Sequence, residues 1–119
     1  MNIKTKRIYE EADVSDGFRI LVDRLWPRGV SKKRAKLAYW AKELSPSNEL
    51  RKWYQHDAGK WEEFKRRYLK ELESKPETLT LLKNCLENEV VTFTYSSSET
   101  KLNNATALKE YVQLSVVRS

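Results

Sequence analysis

The chain has 119 residues, 23 of them basic and 17 acidic, with one histidine, one cysteine and four tryptophans. This length suits a single domain, residues 1–119, and a composition of 34% charged and 11% aromatic residues excludes a disordered chain, which lacks the apolar bulk to offset ordering. A lone cysteine excludes a disulfide framework and makes a reducing cytosol the expected compartment. No apolar run approaches the roughly 18 residues of a membrane span, so no membrane association is expected.

The chain opens on "IKTKRIY" (residues 3–9), whose alternation of apolar and polar positions predicts a strand. A polar loop, "EEADVSDG", separates it from "FRILVDRLW". There Ile20, Leu21 and Val22 are contiguous and apolar, the pattern of a central strand covered by helices on both faces. Pro27 and Gly29 end that strand. Ser31 can cap a short helical turn, and Tyr39 to Leu44 alternate as a short extended segment. Ser45 and Pro46 read as a cap and first helical position, ahead of one apolar face formed by Leu50, Trp53 and Tyr54. Asp57 can cap a second helix carrying the stripe Trp61, Phe64, Tyr68 and Leu72. Glu62–Arg66 and Glu63–Arg67 are spaced to add about 0.2–0.5 kcal/mol each on its outer face. Pro76 starts a third helix with Leu79, Leu82 and Leu86 inward, ending near Asn88. "VVTFTY" (90–95) is β-branched and aromatic, hence a strand. Asn103 or Asn104 caps a last helix with Leu108 and Val112 inward.

Strands separated by helical stretches define an α/β domain with a mostly parallel central sheet of about four strands flanked by helices. The first connection is too short for an ordinary crossover helix, so an antiparallel or irregularly joined first strand is expected. Ligands of parallel sheets sit beyond the carboxyl ends of the strands. Here two strands end in polar loops, "DRLWPRG" and "YSSSETKLNN". If they are neighbours, Asp23, Arg24, Trp26 and Arg28 face Tyr95, Ser96, Ser97 and Asn103 across one crevice. Arg24 and Arg28 are suited to hold a phosphate or carboxylate. Trp26 offers a stacking surface or a loop anchor. Tyr95, Ser96, Ser97 and Asn103 supply hydrogen bonds. Asp23 is a candidate acid–base group or the partner of an arginine, and His56 a candidate proton shuttle. Cys85, among leucines mid-helix, reads as a buried, inert thiol.

No dinucleotide-binding, phosphate-loop or nucleophile-elbow motif is present, and one histidine with one cysteine cannot build a structural zinc site. The sequence assigns no metal and no cofactor. Taken together, "DGFRILVDRLWPRGVSKKRA", "WAKELSPSNELRKWYQHD" and "WEEFKRRYLKEL" closely resemble the YeaO-like proteins, domain-of-unknown-function family 488. The resemblance runs from about Ile3 to Leu114. It implies a small cytoplasmic α/β domain and brings no activity with it. In longer relatives the corresponding strand ends carry an acid-x-arginine, then a cysteine with an acid, then a Cys-His-Arg at the next helix start. In this chain those positions fall on Asp23 and Arg24, on Tyr95 to Glu99, and near Asn103 to Ala105, with neither the cysteines nor the His-Arg pair.

Three readings follow. The first is a domain that binds, and acts on or merely holds, a small anionic, phosphorylated or nucleotide-like ligand. The second is a nucleic-acid-binding module that uses the net charge of +6. The third is an interaction or structural domain in which "DRLWPRG" is a folding element or subunit contact. The oligomeric state stays open.

Overall fold

The computed structural model describes residues 2–118. Four strands form one sheet, β1 (Asn2–Arg7), β2 (Phe18–Leu21), β3 (Tyr39–Trp40) and β4 (Val90–Tyr95), in the spatial order β1-β4-β2-β3. Every pairing is parallel, with Lys4 opposite Thr92, Ile20 opposite Phe93 and Leu21 opposite Trp40. The helices are α1 (Lys32–Ala35), α2 (Asn48–Tyr54), α3 (Trp61–Glu73), α4 (Pro76–Cys85) and α5 (Asn104–Arg118). Among the described residues no helix is long and apolar enough to cross a membrane.

Of the two arrangements that the short connection allows, antiparallel or irregularly joined, the structure has the second: the first strand is parallel and its link to β2 is irregular. β1 and β2 are not neighbours, because β4 lies between them, so residues 8–17 step across β4 rather than forming a hairpin. The step needs no crossover helix because it is pinned to the sheet. Thr92, fully buried on β4, donates its hydroxyl to the Asp16 carbonyl at 2.7 Å, and Lys4 on β1 reaches the Ser15 carbonyl at 2.9 Å. Asp13 and Asp16 form a reciprocal capping box around the short helical turn Val14–Asp16.

The two faces of the sheet differ, a departure from expectation. Ile3, Ile20, Val22, Val91, Phe93 and Tyr95 share one face and one core with residues of α2, α3, α4 and α5. The opposite face, which carries Arg19, Leu21, Thr92 and Thr94, is covered by the β1–β2 connection, the single-turn α1 and a small cluster of Ile8, Val30 and Ala35. β2 is buried on both faces as its apolar run requires, but only one cover is a layer of long helices. Under the other cover lies Arg19, 4% exposed. Its Nε and Nη2 donate to the Ala35 carbonyl at 3.0 and 2.9 Å, and its Nη1 to Asp16 Oδ2 at 2.7 Å. Burial pushes the Asp16 carboxyl up, but the Asp13 N–H, the Lys6 ammonium and the Arg19 guanidinium outweigh it and hold it below the usual range.

In the helical layer, Phe64 stacks on Tyr54 with ring centroids 4.2 Å apart, and Tyr68 buries its ring and donates its hydroxyl to the Leu44 carbonyl. Burial raises the Tyr68 phenol far above its ordinary value. The cap of α2 is Ser47, not Ser45. The Glu71 carboxylate accepts from the Ser47 N–H and hydroxyl at 2.9 and 2.6 Å, and Ser47 Oγ accepts from the Leu50 N–H. Pro46 therefore precedes the cap instead of opening the helix. In α4 the deepest residues are Thr78, Leu82 and Cys85, with Leu79 and Leu86 half-buried.

On the outer face of α3, Glu63 pairs with both Arg66 and Arg67, whereas Glu62 pairs with Lys65 rather than Arg66. Hydrogen bonds from Arg66 and then Arg67 hold the Glu63 carboxyl down at about 2. A carbon-13 NMR titration should therefore find Glu63 still ionised at pH 3. In an Arg66→Ala/Arg67→Ala protein it should titrate near the reference value of about 4.3. An unchanged titration in that variant would mean that the two arginines do not set it.

Candidate functional site

The carboxyl ends of β2 and β4 are adjacent, and a cleft of about 640 Å³ opens beyond them. That volume lies within the range of small-molecule sites. Its lining includes Asp23, Arg24, Trp26, Arg28, His56, Ser96, Ser97 and Asn103. Eight of the nine residues singled out from the sequence thus converge on one concavity. The ninth, Tyr95, alternates to the other face. It is 3% exposed and packs in the main core, where burial raises its phenol.

The floor is a polar strap. Asp23 Oδ2 accepts from both the N–H and the hydroxyl of Ser96 at 2.8 Å, and its Oδ1 accepts from Asn104 Nδ2 at 3.1 Å. The same Asn104 amide donates to the Val22 carbonyl at 2.8 Å. From the other side, Arg7 at the end of β1 donates to the Ser97 and Ser96 carbonyls at 2.8 and 3.2 Å. Asp23 forms no ion pair with Arg24 or Arg28. The expected arginine partner is replaced by neutral donors from the β4 loop and α5, because both guanidinium groups turn outward and are exposed.

Asn103 is the α5 cap. Its Oδ1 accepts from the Thr106 N–H at 2.9 Å and its Nδ2 donates to the Glu99 carbonyl at 2.9 Å, so its amide is committed within the chain. Glu99 accepts from the Leu102 and Lys101 N–H groups, and these contacts, with His56 and Lys101 nearby, lower its carboxyl. Tyr54 closes the loop by donating to the Leu102 carbonyl at 2.8 Å. The wall formed by residues 96–104 is thus tied through Ser96, Ser97, Glu99, Leu102, Asn103 and Asn104, the kind of preorganisation a binding site needs.

His56 sits after α2 on unusual backbone. Gln55 and His56 are consecutive non-glycine residues in the left-handed region, at φ 46° and 56°. Such conformations cost of order 1–2 kcal/mol each and turn the chain so that both side chains line the cleft. The His56 ring lies 5.8 Å from Tyr54, and no described hydrogen bond orients it. Trp26 anchors its loop by donating Nε1 to the Val30 carbonyl, and its ring meets Trp40 edge-on at 5.3 Å.

Among the lining residues that the sequence does not single out as site residues, four bear on its chemistry: Arg51, Lys52, Tyr9 and Asn104. Arg51 and Lys52 come from α2. With Leu50, Trp53 and Tyr54 turned inward, the same periodicity leaves these two on the outer face, a signal available in the sequence. Tyr9 arrives because β1 is parallel, and Asn104 because Asn103, of the two candidate caps, takes the cap and leaves the Asn104 amide to reach Asp23 and Val22. Arg24, Arg28, Arg51 and Lys52 are all exposed at the rim, and none belongs to an ion pair among the described residues. Among the described residues the only carboxylate in the lining is Asp23, whose oxygens already accept from Ser96 and Asn104. Among the described residues no group of three or more His, Cys, Asp and Glu side chains is placed to hold a metal ion.

A fully parallel four-stranded α/β domain with a cationic cleft at its strand ends is the class these features define. The chain belongs to the DUF488-N3i family, described as the inactive DUF488-N3 subclade, whose profile matches residues 2–119. It is 40% identical over 113 residues to the uncharacterized protein YeaO of Escherichia coli (strain K12), covering 95% of this chain and 98% of that one. It is 44% identical over 70 residues to the uncharacterized proteins Rv3073c of Mycobacterium tuberculosis and Mb3100c of Mycobacterium bovis, 59% of each chain. No solved structure gives a significant match.

Proposed function

We propose that the protein is a binding domain for a small anionic ligand, phosphorylated or nucleotide-like, held in the strand-end cleft. The observation that carries this reading is the charge arrangement: four exposed, unpaired cationic side chains surround a cavity whose single carboxylate is saturated. Trp26, half-buried in the lining, adds an apolar surface on which a ring could lie, and Ser97 adds a hydroxyl. Asp23 acts as a positioning residue, because its oxygens hold the β4 loop and α5 in place. His56 borders the ligand. Ser96 to Ser98 and the Asn103 cap stand where longer relatives place cysteines and a His-Arg pair, which supports binding rather than thiol or imidazole chemistry. The description of the subclade as inactive agrees with it.

Thermal-shift and calorimetric titration of inorganic phosphate, nucleoside monophosphates and organic acids tests this. A ligand at 100 times its Kd stabilises the fold by about 2.7 kcal/mol. Arg28→Ala and Arg51→Ala should each weaken binding about 10- to 100-fold, the worth of one charged hydrogen bond. Both should leave the unliganded Tm within a degree or so, since both side chains are exposed. A flat ligand panel, or arginine variants that bind like the parent, would sink the proposal.

A further inference from the structure

The net charge of the chain is concentrated in one segment. From Arg24 to Lys42 there are seven basic residues and no acidic one, and the rest of the chain has sixteen basic against seventeen acidic residues. The +6 excess is therefore entirely the property of the stretch that leaves β2, forms α1 and returns as β3. All seven of these side chains are exposed, and none enters an ion pair among the described residues. The stretch is continuous with the cleft, because Arg34 on α1 donates to the Tyr9 carbonyl at 3.1 Å and the Tyr9 hydroxyl donates to the Arg28 carbonyl at 3.0 Å.

Nearby acids do not neutralise it. On the neighbouring β1–β2 connection, Glu10 accepts from the Arg7 N–H, Asp13 caps its own turn, and Asp16 faces Lys6 and Arg19. Glu11 and Glu43 remain as flanking charges. Aromatic rings are interleaved with the cations: Tyr9 and Trp26 are half-buried, Tyr39 is exposed, and Trp40 carries the Lys42 ammonium 4.1 Å from its ring centre.

We infer that this surface, running from the cleft rim over α1, is a docking track for single-stranded nucleic acid. Cations alternating with ring faces match a strand that offers both phosphates and unstacked bases. A duplex hides its base faces and is read by a helix lying in the groove. α1 is a single turn, and α3, the longest helix whose outer face is described, carries Glu62, Glu63 and Glu73 among its bases. The track shares Tyr9, Arg24, Trp26 and Arg28 with the cleft, but its α1 cations Lys32, Lys33 and Arg34 lie outside the cleft lining, so the two readings can be tested separately.

Fluorescence anisotropy with labelled 12-nucleotide oligouridylate and oligothymidylate, across about 50 to 200 mM salt, tests it. Binding should fall with salt with a log–log slope near −2 to −3, at about 0.7 for each neutralised phosphate. Charge reversal of the α1 face (K32E/K33E/R34E) should weaken binding at least 30-fold and flatten the slope by about 2. A circular-dichroism melt confirms that the reversed protein folds, and a Lys32→Gln/Lys33→Gln protein with about 10-fold loss serves if it does not. Arg51→Ala should keep oligonucleotide binding within about 2-fold while weakening the small ligand about 10- to 100-fold, which separates failure of this inference from failure of the cleft reading. The inference is overturned by no single-strand binding at 50 mM salt, by equal binding of the variants, or by tighter binding of a duplex, of heparin or of phosphatidylglycerol vesicles.

Discussion

Replacing Gly17 by alanine should cost about 3 kcal/mol or more, whereas the same change at Gly29 should cost about 1 kcal/mol. Both glycines have positive φ, 63° and 78°, so an L-residue is strained at either position. The difference lies in what a Cβ would meet. At Gly17 it would sit 2.5 Å from the Val90 carbonyl oxygen and 2.7 Å from the Val90 Cβ, at the first residue of β4. Neither atom can swing away, because one is backbone and the other is fixed to it. At Gly29 nothing lies within 4 Å, so only the left-handed penalty applies. Equilibrium urea unfolding of the two variants measures the gap directly. Against a total stability of about 5–15 kcal/mol, Gly17→Ala should remove a large fraction. Equal, small losses at both sites would show that the β1–β2 connection does not press on β4 as described.

The second large effect is expected at Arg19. Arg19→Met should destabilise the fold by about 3–5 kcal/mol, because it takes from a buried carboxylate the shorter and more buried of its two ion pairs and strips both donors from the Ala35 carbonyl. Arg19→Lys should recover only part of this, since one ammonium cannot reach Asp16 and Ala35 with the geometry of the guanidinium fork. The effect is linked to pH with a definite sign. The Asp16 carboxyl is lowered in the folded state, so its contribution is complete above the unfolded value near 4 and is lost as pH falls through the folded one. Arg19→Met should move the acid-unfolding midpoint upward while flattening the pH dependence below 4. A variant within 1 kcal/mol of the parent, with the same acid midpoint, would remove the pair from the account of stability.

The parts of this fold that are written in local pattern were legible in the sequence. β4, the inward Leu108 and Val112 of α5, the Ser31 cap and proline at the start of α4 all follow from nearest neighbours and periodicity. Strand direction is different. Alternation in "IKTKRIY" specifies which side chains share a face, and it is indifferent to which way the partner runs. The Ser47 cap was misplaced by two residues because Glu71, 24 positions away, selects between two similar serines. The Asp16–Arg19 pair does leave a signal in the sequence, since an arginine within the apolar run "FRILV" must find a buried acceptor, but nothing local says which one. The cleft was located because both polar strand ends are local features. Its cationic rim was only half visible, as Arg51 and Lys52 reach it through tertiary packing.

The strand order has a consequence for how the protein is made. β1 is synthesised first, yet its only partner in the sheet is β4, which begins 83 residues after β1 ends. At about 5–20 residues per second, a ribosome needs roughly 4 to 17 seconds to supply it. During that interval the nascent chain carries a strand with no sheet to join, and β2 likewise lacks its principal neighbour. Lys4, Lys6 and Arg7 give the waiting strand three cations in six residues, the composition that discourages edge-to-edge pairing with other nascent chains. The same lysines that secure the β1–β2 connection in the folded protein thus set like charge against edge-to-edge pairing for as long as β1 waits for β4.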